Sequence, residues 1–237
     1  MIKEKSYLMK NKLIESFENE YQNVDLLTYN AHGWYTHAPI FKKLFKHNQI
    51  KYIFEIGSWF GKSTRHFAKL IQKDGKVFAI DHWKGSSENL IAKDAKNIIP
   101  SLYRQFLSNV IHKNLVKKIV PIKMNSQRAS IFMKKFKIDP DLIYIDGSHD
   151  YNSVLQDLNA WFPYIEKKGI LCGDDFKWTT VAQAVFDFAK QNNLILHSIN
   201  NLWIIEKNEN SINELDSIIK EFNYNKFSFN SLEFLRF

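Results

Sequence analysis

Asp146, His149, Asp174 and Asp175 are the residues whose types and spacing point most directly to chemistry. They share one stretch, DLIYIDGSHDYNSVLQDLNAWFPYIEKKGILCGDDF, spanning residues 141–176. Three carboxylates brought together repel one another, so they need a bound cation or raised pKa values. Oxygen donors of this kind suit Mg2+ or another divalent cation. His149 adds a base whose ordinary pKa, about 6.5, is matched to accepting a hydroxyl proton at neutral pH.

Convergence of these groups depends on the elements that carry them. The stretch reads as a short apolar strand ending at Asp146, a turn, a helix, the Lys168-Gly169 turn, and a second apolar strand ending at Asp174-Asp175. Strand–helix–strand units of this length are right-handed crossovers between parallel strands. Both carboxylate-bearing ends therefore point to the edge where open α/β sheets bind ligands. The helix carries Val154, Leu155, Leu158, Trp161, Phe162 and Ile165 on an apolar face, with Asp150 as N-cap or as a partner of His149. Tyr151 and Asp157 read as support for that helix. An alternative reading makes Asp174-Asp175 a cap for the next helix, over 178–191; a cap accounts for one Asp but not for its pairing with Asp146.

The upstream chain repeats the same unit. Residues 5–21 have helical spacing (Tyr7, Lys10, Ile14, Phe17, Tyr21, with Leu13 beside them), and an aromatic irregular segment leads to Pro39 at the start of a helix. KYIFEI (51–56) is a strand, GSWFGKST a turn into a helix, and residues 76–80 a second strand ending at Asp81. Helices are expected over 89–96 and 99–112, a third strand over 117–122, and a helix over 126–137. Pro121 removes a ladder hydrogen bond, which places the third strand at a sheet edge or at its own end. Strands at 194–198 and 202–206 are joined by Asn200-Asn201, too short a link for a crossover, so the last strand is antiparallel. A helix over 211–222 and an aromatic tail close the chain.

GSWFGKST is not a nucleoside-triphosphate loop. That loop needs four residues between its first glycine and Gly-Lys-Ser/Thr; only Ser58, Trp59 and Phe60 separate Gly57 from Gly61, and two of these are bulky. The dinucleotide pattern GxGxxG fails as well, at Trp59. Instead, Glu55, Gly57, Gly61, Ser63 and Thr64 resemble the first motif of class I S-adenosylmethionine-dependent methyltransferases. The resemblance implies a cofactor site of Glu55, Gly57, Ser58, Gly61, Ser63 and Thr64, with the acid meeting the cofactor's amino group. It further implies Asp81 on the ribose hydroxyls, His82 and Trp83 as a flat surface beside the ligand, and an adenine pocket around Met124, Asn125 and Ser126, with Asp146 also at the cofactor.

AIDHWKG and residues 144–176 extend the likeness to the metal-dependent O-methyltransferases typified by macrocin O-methyltransferase, over residues 50–206. Lys168-Gly169 stands where that family has Gly-Gly, and Ser86 where it usually has Asp. The resemblance implies Mg2+ or another divalent cation on Asp146, Asp174 and Asp175. It gives catalytic roles to His149 and Asp146, with a hydroxyl acceptor, a sugar or glycoside-like diol, attacking the sulfonium methyl. Two other readings are a catechol-type O-methyltransferase, which would carry Lys at His149, and a cofactor-binding protein without activity.

The fold expected is α/β: a Rossmann-like class I methyltransferase with a seven-stranded, mostly parallel sheet, an antiparallel last strand, and helices on both faces. Residues 1–49 form N-terminal helices and a candidate lid, 50–207 the methyltransferase domain, and 208–237 a C-terminal helix and aromatic tail. The +8 formal charge suits an anionic partner of any kind, yet DGSH stands where base-amine methyltransferases often carry Asn/Asp-Pro-Pro-Tyr/Phe, so no nucleic-acid partner is expected. The single cysteine, Cys172, lies in an apolar strand and reads as core; without disulfides or a signal-like N-terminus, a cytoplasmic protein is expected. No run is long and apolar enough for a membrane span, and the aromatic termini suit a homo-oligomer.

Overall fold

The apolar runs YIFEI, KVFAID, IVPIK, LIYI and ILCG form five parallel strands, each followed by a helix that carries the chain back along the sheet. The computed structural model describes residues 11–229 except 13, 86–97, 136–137, 166–168, 208–211 and 213. Its strands are β1 (Tyr52–Ile56), β2 (Lys76–Asp81), β3 (Ile119–Lys123), β4 (Leu142–Ile145), β5 (Ile170–Gly173), β6 (Ile195–Ile199), β7 (Leu202–Glu206) and β8 (Tyr224–Phe227). The helices are α1 (Ala38–His47), α2 (Lys62–Leu70), α3 (Leu102–His112), α4 (Ser126–Lys134), α5 (Tyr151–Trp161), α6 (Thr179–Gln191) and α7 (Leu215–Ile219). Residues 14–18 are also helical. Leu13, Ser86, the helix read over 89–96, Lys168, and the chain beyond 229 lie outside the described residues.

The sheet order is β3-β2-β1-β4-β5-β7-β6-β8. β7 runs antiparallel to β5 and β6, as the short Asn200-Asn201 link requires. Pro121 sits in the outermost parallel strand, which pairs only with β2, so its missing N–H breaks no second ladder. The expected count of seven strands is corrected to eight, with β8 added antiparallel to the free side of β6. Its sequence, YNKF, has no apolar face and stays half-exposed; backbone pairing at an open edge makes it a strand, without an apolar pattern to announce it. The last helix is also shorter than expected, α7 rather than 211–222.

Alternation along each strand feeds two cores, one per face. Ile53 and Tyr144 join Phe41, Leu44, Phe67 and Phe106 on one side. Phe54 and Ile143 join Trp161, Val185, Phe188 and Trp203 on the other. Each fully buried side chain of this size contributes about 1.5–3 kcal/mol. α1 belongs to the first core and packs on α7, so the N-terminal segment is tied to the sheet directly beside the site.

Candidate active site

Register sets the acids. Ile56 pairs with Ile145, and Ile145 with Gly173. Asp146 and Asp174 therefore leave the sheet side by side, their amides still bonded to Ile56 O at 2.7 Å and Ile145 O at 3.1 Å. A cavity of about 790 Å³ opens above this edge. Among its lining residues are Gly57, Ser58, Ser63, Asp81, His82, Asn125, Ser126, Asp146, His149, Asp174 and Asp175.

The glycine turn is held by backbone geometry. Gly57 has φ +87° and its amide bonds Ile80 O at 2.9 Å; a Cβ there would lie 2.0 Å from Asp146 O. The turn can approach β4 this closely only without a side chain. Asp81 Oδ2 accepts from the amides of Ser58 and Trp59, each at 3.0 Å, and its Oδ1 from that of Trp83 at 2.6 Å. Behind the turn, Glu55 is fully buried and accepts from Ser58 Oγ at 2.7 Å and from Thr64 Oγ1. Burial raises its pKa, against the pull of the Ser63, Thr64 and Ser58 hydroxyls. Ser63 is near enough to stabilise the carboxylate, but Oε1 has no partner in hydrogen-bond geometry.

Glu55, Gly61, Thr64 and Trp83 do not line the cavity. Gly61 (φ +76°) abuts Phe106, where a Cβ would come within 2.8 Å of its ring. Trp83, expected as a flat surface beside the ligand, is corrected to a core residue. Its backbone has a positive φ (50°), its ring packs against Tyr103 and Phe106, and Nε1 donates to Trp59 O at 2.9 Å. Asn125 is the N-cap of α4, accepting from Gln127 N and Arg128 N.

At the other end, side chains from distant segments share the charge. Asp174 Oδ1 accepts from Asp175 N and from Asn201 Nδ2, both at 2.7 Å, and Oδ2 from Tyr144 OH at 3.1 Å. His37 is buried, and its Nε2 lies 2.9 Å from Oδ1, off line for a full hydrogen bond. His149 Nε2 lies 2.8 Å from Asp175 Oδ2, and its ring stacks on Trp178 at 4.8 Å. Burial would raise Asp175, but the His149 contact, with Asn201 and His37, holds it below the usual carboxylate range. Asp146 is pushed well up, by burial first and then by Asp174 and Asp175. Asp150 is the N-cap of α5, accepting from Ser153 N at 3.0 Å. Neither Asp174 nor Asp175 caps α6, whose N-cap is Trp178.

Sequence reasoning missed Asn201, Tyr144 and His37 as partners of the acids. Asn201 reads as a hairpin residue; only the pairing of β7 with β5 brings it to Asp174. Oxygen donors and the repulsion felt by Asp146 are features that a divalent cation relieves. Here His37, His149, Asn201 and Tyr144 engage Asp174 and Asp175 instead, and among the described residues no group of three His, Cys, Asp or Glu side chains is positioned to hold an ion.

Residues 54–176, more than half of the chain, match the family model described as a methyltransferase domain. The chain belongs to this methyltransferase family. The methyltransferase is 28% identical over 155 residues, 57% of its length and 69% of the other's, to uncharacterized protein R132 of Acanthamoeba polyphaga mimivirus. Its fold is similar to that of a putative caffeoyl-CoA O-methyltransferase from Staphylococcus aureus (TM-score 0.58, 16% identity, 85% of this chain and 100% of that one). It is similar as well to TomG, an O-methyltransferase of Streptomyces achromogenes solved with SAM (TM-score 0.56, 10% identity, 81% and 87%). A third is the Bacillus cereus O-methyltransferase solved with SAH (TM-score 0.53, 15% identity, 81% and 88%). No described helix of the methyltransferase is long and apolar enough to cross a membrane.

Proposed function

We propose that this methyltransferase moves the methyl group of S-adenosylmethionine to a hydroxyl oxygen of a small diol, with a sugar or glycoside as the acceptor class. The observation that carries the reading is the His149–Asp175 pair at 2.8 Å, set on the cavity wall beside Asp146 and Asp174. An imidazole oriented by a carboxylate is a fitting acceptor for a hydroxyl proton. Asp175 and the Trp178 face hold the ring; the acceptor oxygen forms its bond to the methyl carbon as the carbon–sulfur bond breaks, and the proton passes to the pair. S-adenosylhomocysteine leaves. With the donor already activated, catalysis consists of positioning and electrostatics.

Mg2+ or another divalent cation on Asp146, Asp174 and Asp175 would require Asp174 and Asp175 to turn from His37 and Asn201 toward Asp146, and would then lower the pKa of the acceptor hydroxyl. Gly57, Ser58 and Ser63 would face the methionine portion, with Glu55 behind them, and Asp81 the ribose. The segment from His32 to Tyr35, with Trp34 at the mouth, serves as the lid that excludes water. Lys62 Nζ donates to Gly33 O at 2.6 Å and Tyr35 OH meets His66 Nδ1 at 2.8 Å, ties that support a closed lid.

The test is transfer of a labelled methyl group from S-adenosylmethionine to a panel of glycosides with vicinal hydroxyls, with Mg2+ and with EDTA. The expected outcome is label on at least one glycoside, lost with EDTA and reduced about 10²–10⁴-fold in His149→Ala. Transfer unaffected by His149→Ala would contradict the assignment of the base.

A further inference from the structure

The cavity mouth carries two tryptophans that internal packing does not account for. Trp34 is 71% exposed and Trp178 50%, although side chains of this size gain most from burial. Trp34 is nevertheless seated, its ring set against His32 at 4.7 Å and Trp59 at 6.3 Å. Exposed aromatics grouped in this way mark a surface that receives a partner. They border an outer groove of about 530 Å³, within the range of small-ligand sites, about 300–1,000 Å³. The groove is continuous with the inner cavity, because Trp34, Trp178 and Asn201 line both.

The two compartments differ in charge. Acids dominate the inner one, where Asp81, Asp146, Asp157, Asp174 and Asp175 stand against a single lysine, Lys62. The outer groove has no acid in its lining, and its one charged side chain is Lys177. Lys177 is exposed, and its ammonium meets no acid among the described residues. Its backbone is fixed: the amide donates to Asn201 Oδ1 at 2.9 Å, and the Phe176 amide to Asn201 O at 2.9 Å. Thr36 and Thr179 add hydroxyls to the lining.

We propose that the outer groove binds a second sugar ring of the acceptor, one that carries a carboxylate, so that the acceptor is an acidic glycoside of the uronic-acid type. The proposal rests on the sugar reading above and narrows it. A pyranose presents a face of C–H groups that packs on an indole, and a rim of hydroxyls that Thr36 and Thr179 can meet. One lysine matches the single charge of a carboxylate. A phosphate, with more charge and more acceptor oxygens, calls for several donors or an arginine fork. The inner acids repel the same carboxylate, which sets the direction of binding: the neutral diol inward at His149, the acidic ring outward at Lys177. Trp178, stacked on His149 at 4.8 Å, is common to both sites.

Calorimetry on protein first titrated with S-adenosylhomocysteine tests this. The probes are cellobiose and maltose, their counterparts oxidised to a uronic acid on the outer ring, and maltose 6′-phosphate. Wild type is expected to bind each uronic acid at least about threefold more tightly than its neutral parent at low ionic strength. Added salt shrinks that preference. Lys177→Ala abolishes it and leaves neutral binding unchanged, and Lys177→Glu reverses it. Trp34→Ala weakens both forms at least about tenfold. Equal affinity for acid and parent in wild type, an unchanged preference in Lys177→Ala, unchanged affinities in Trp34→Ala, or no binding of any disaccharide overturns the proposal. Tighter binding of the phosphate than of the uronic acid overturns the choice of carboxylate. A protein that takes up no S-adenosylhomocysteine yet keeps the uronic-acid preference contradicts the cofactor reading and supports the groove.

Discussion

At the glycine-turn end of the cavity, positions are set by the backbone. Gly57 is bonded to β2, presses on β4 without a side chain, and is followed by amides gathered on Asp81. At the acid end, positions are set by side chains from four separate segments: His37, Tyr144, His149 and Asn201 converge on Asp174 and Asp175. The first kind of site tolerates little change in shape. The second tolerates changes in shape but depends on balanced charge, because each buried carboxylate must keep a donor or a cation.

The contrast can be broken most severely where the two ends touch. Gly57→Ala would place a Cβ against Asp146 O at a backbone angle that side chains rarely adopt. We expect a loss of about 3 kcal/mol or more, read as a fall in Tm, together with loss of S-adenosylhomocysteine binding. Asn201→Ala tests the acid end alone. It removes two bonds to Asp174 and Asp175, for an expected loss of about 1.5–3 kcal/mol, while affinity for S-adenosylhomocysteine stays within about threefold. A comparable loss of cofactor affinity in both variants would erase the distinction between the two ends.

Acidity sharpens it further. Burial lowers the His66 pKa to about 4, below the ordinary value, so the unfolded chain binds this proton at a higher pH than the folded one. Stability from His66 is therefore complete above about pH 6.5 and is lost as pH falls toward 4. His66→Gln should flatten this part of the pH–stability curve, as chemical denaturation at several pH values would show. The smallest effect expected is that of Asp150→Ala, which removes the α5 cap and an exposed bond from Ser148 Oγ. It costs about 1 kcal/mol in denaturant unfolding and leaves cofactor binding unchanged.

The same contrast governs what could be read from the sequence. β1 to β5, their parallel direction and the turn at Gly57 are local patterns, legible as apolar runs, glycines and helix spacing. Acids at the ends of β4 and β5 are legible because a crossover fixes both strand directions. Partners of those acids are not, since Tyr144, Asn201 and His37 become neighbours only through sheet register and the path of the N-terminal segment. Trp83 was misplaced because its ring packs on Tyr103 and Phe106 of α3, residues some twenty positions further along the chain. β8 escaped notice because an edge strand held by backbone pairing needs no apolar pattern.

The central claim is that one cavity holds S-adenosylmethionine at its glycine end and handles a hydroxyl with its acids at the other. Calorimetry tests it most directly: S-adenosylhomocysteine is titrated into wild type and into Asp146→Ala/Asp174→Ala, followed by Mg2+ into each loaded protein. The account predicts cofactor binding by wild type and a Mg2+ signal that vanishes in the double variant. A folded wild type that binds no S-adenosylhomocysteine would contradict the claim, and cofactor binding with no Mg2+ signal would contradict its metal-holding half.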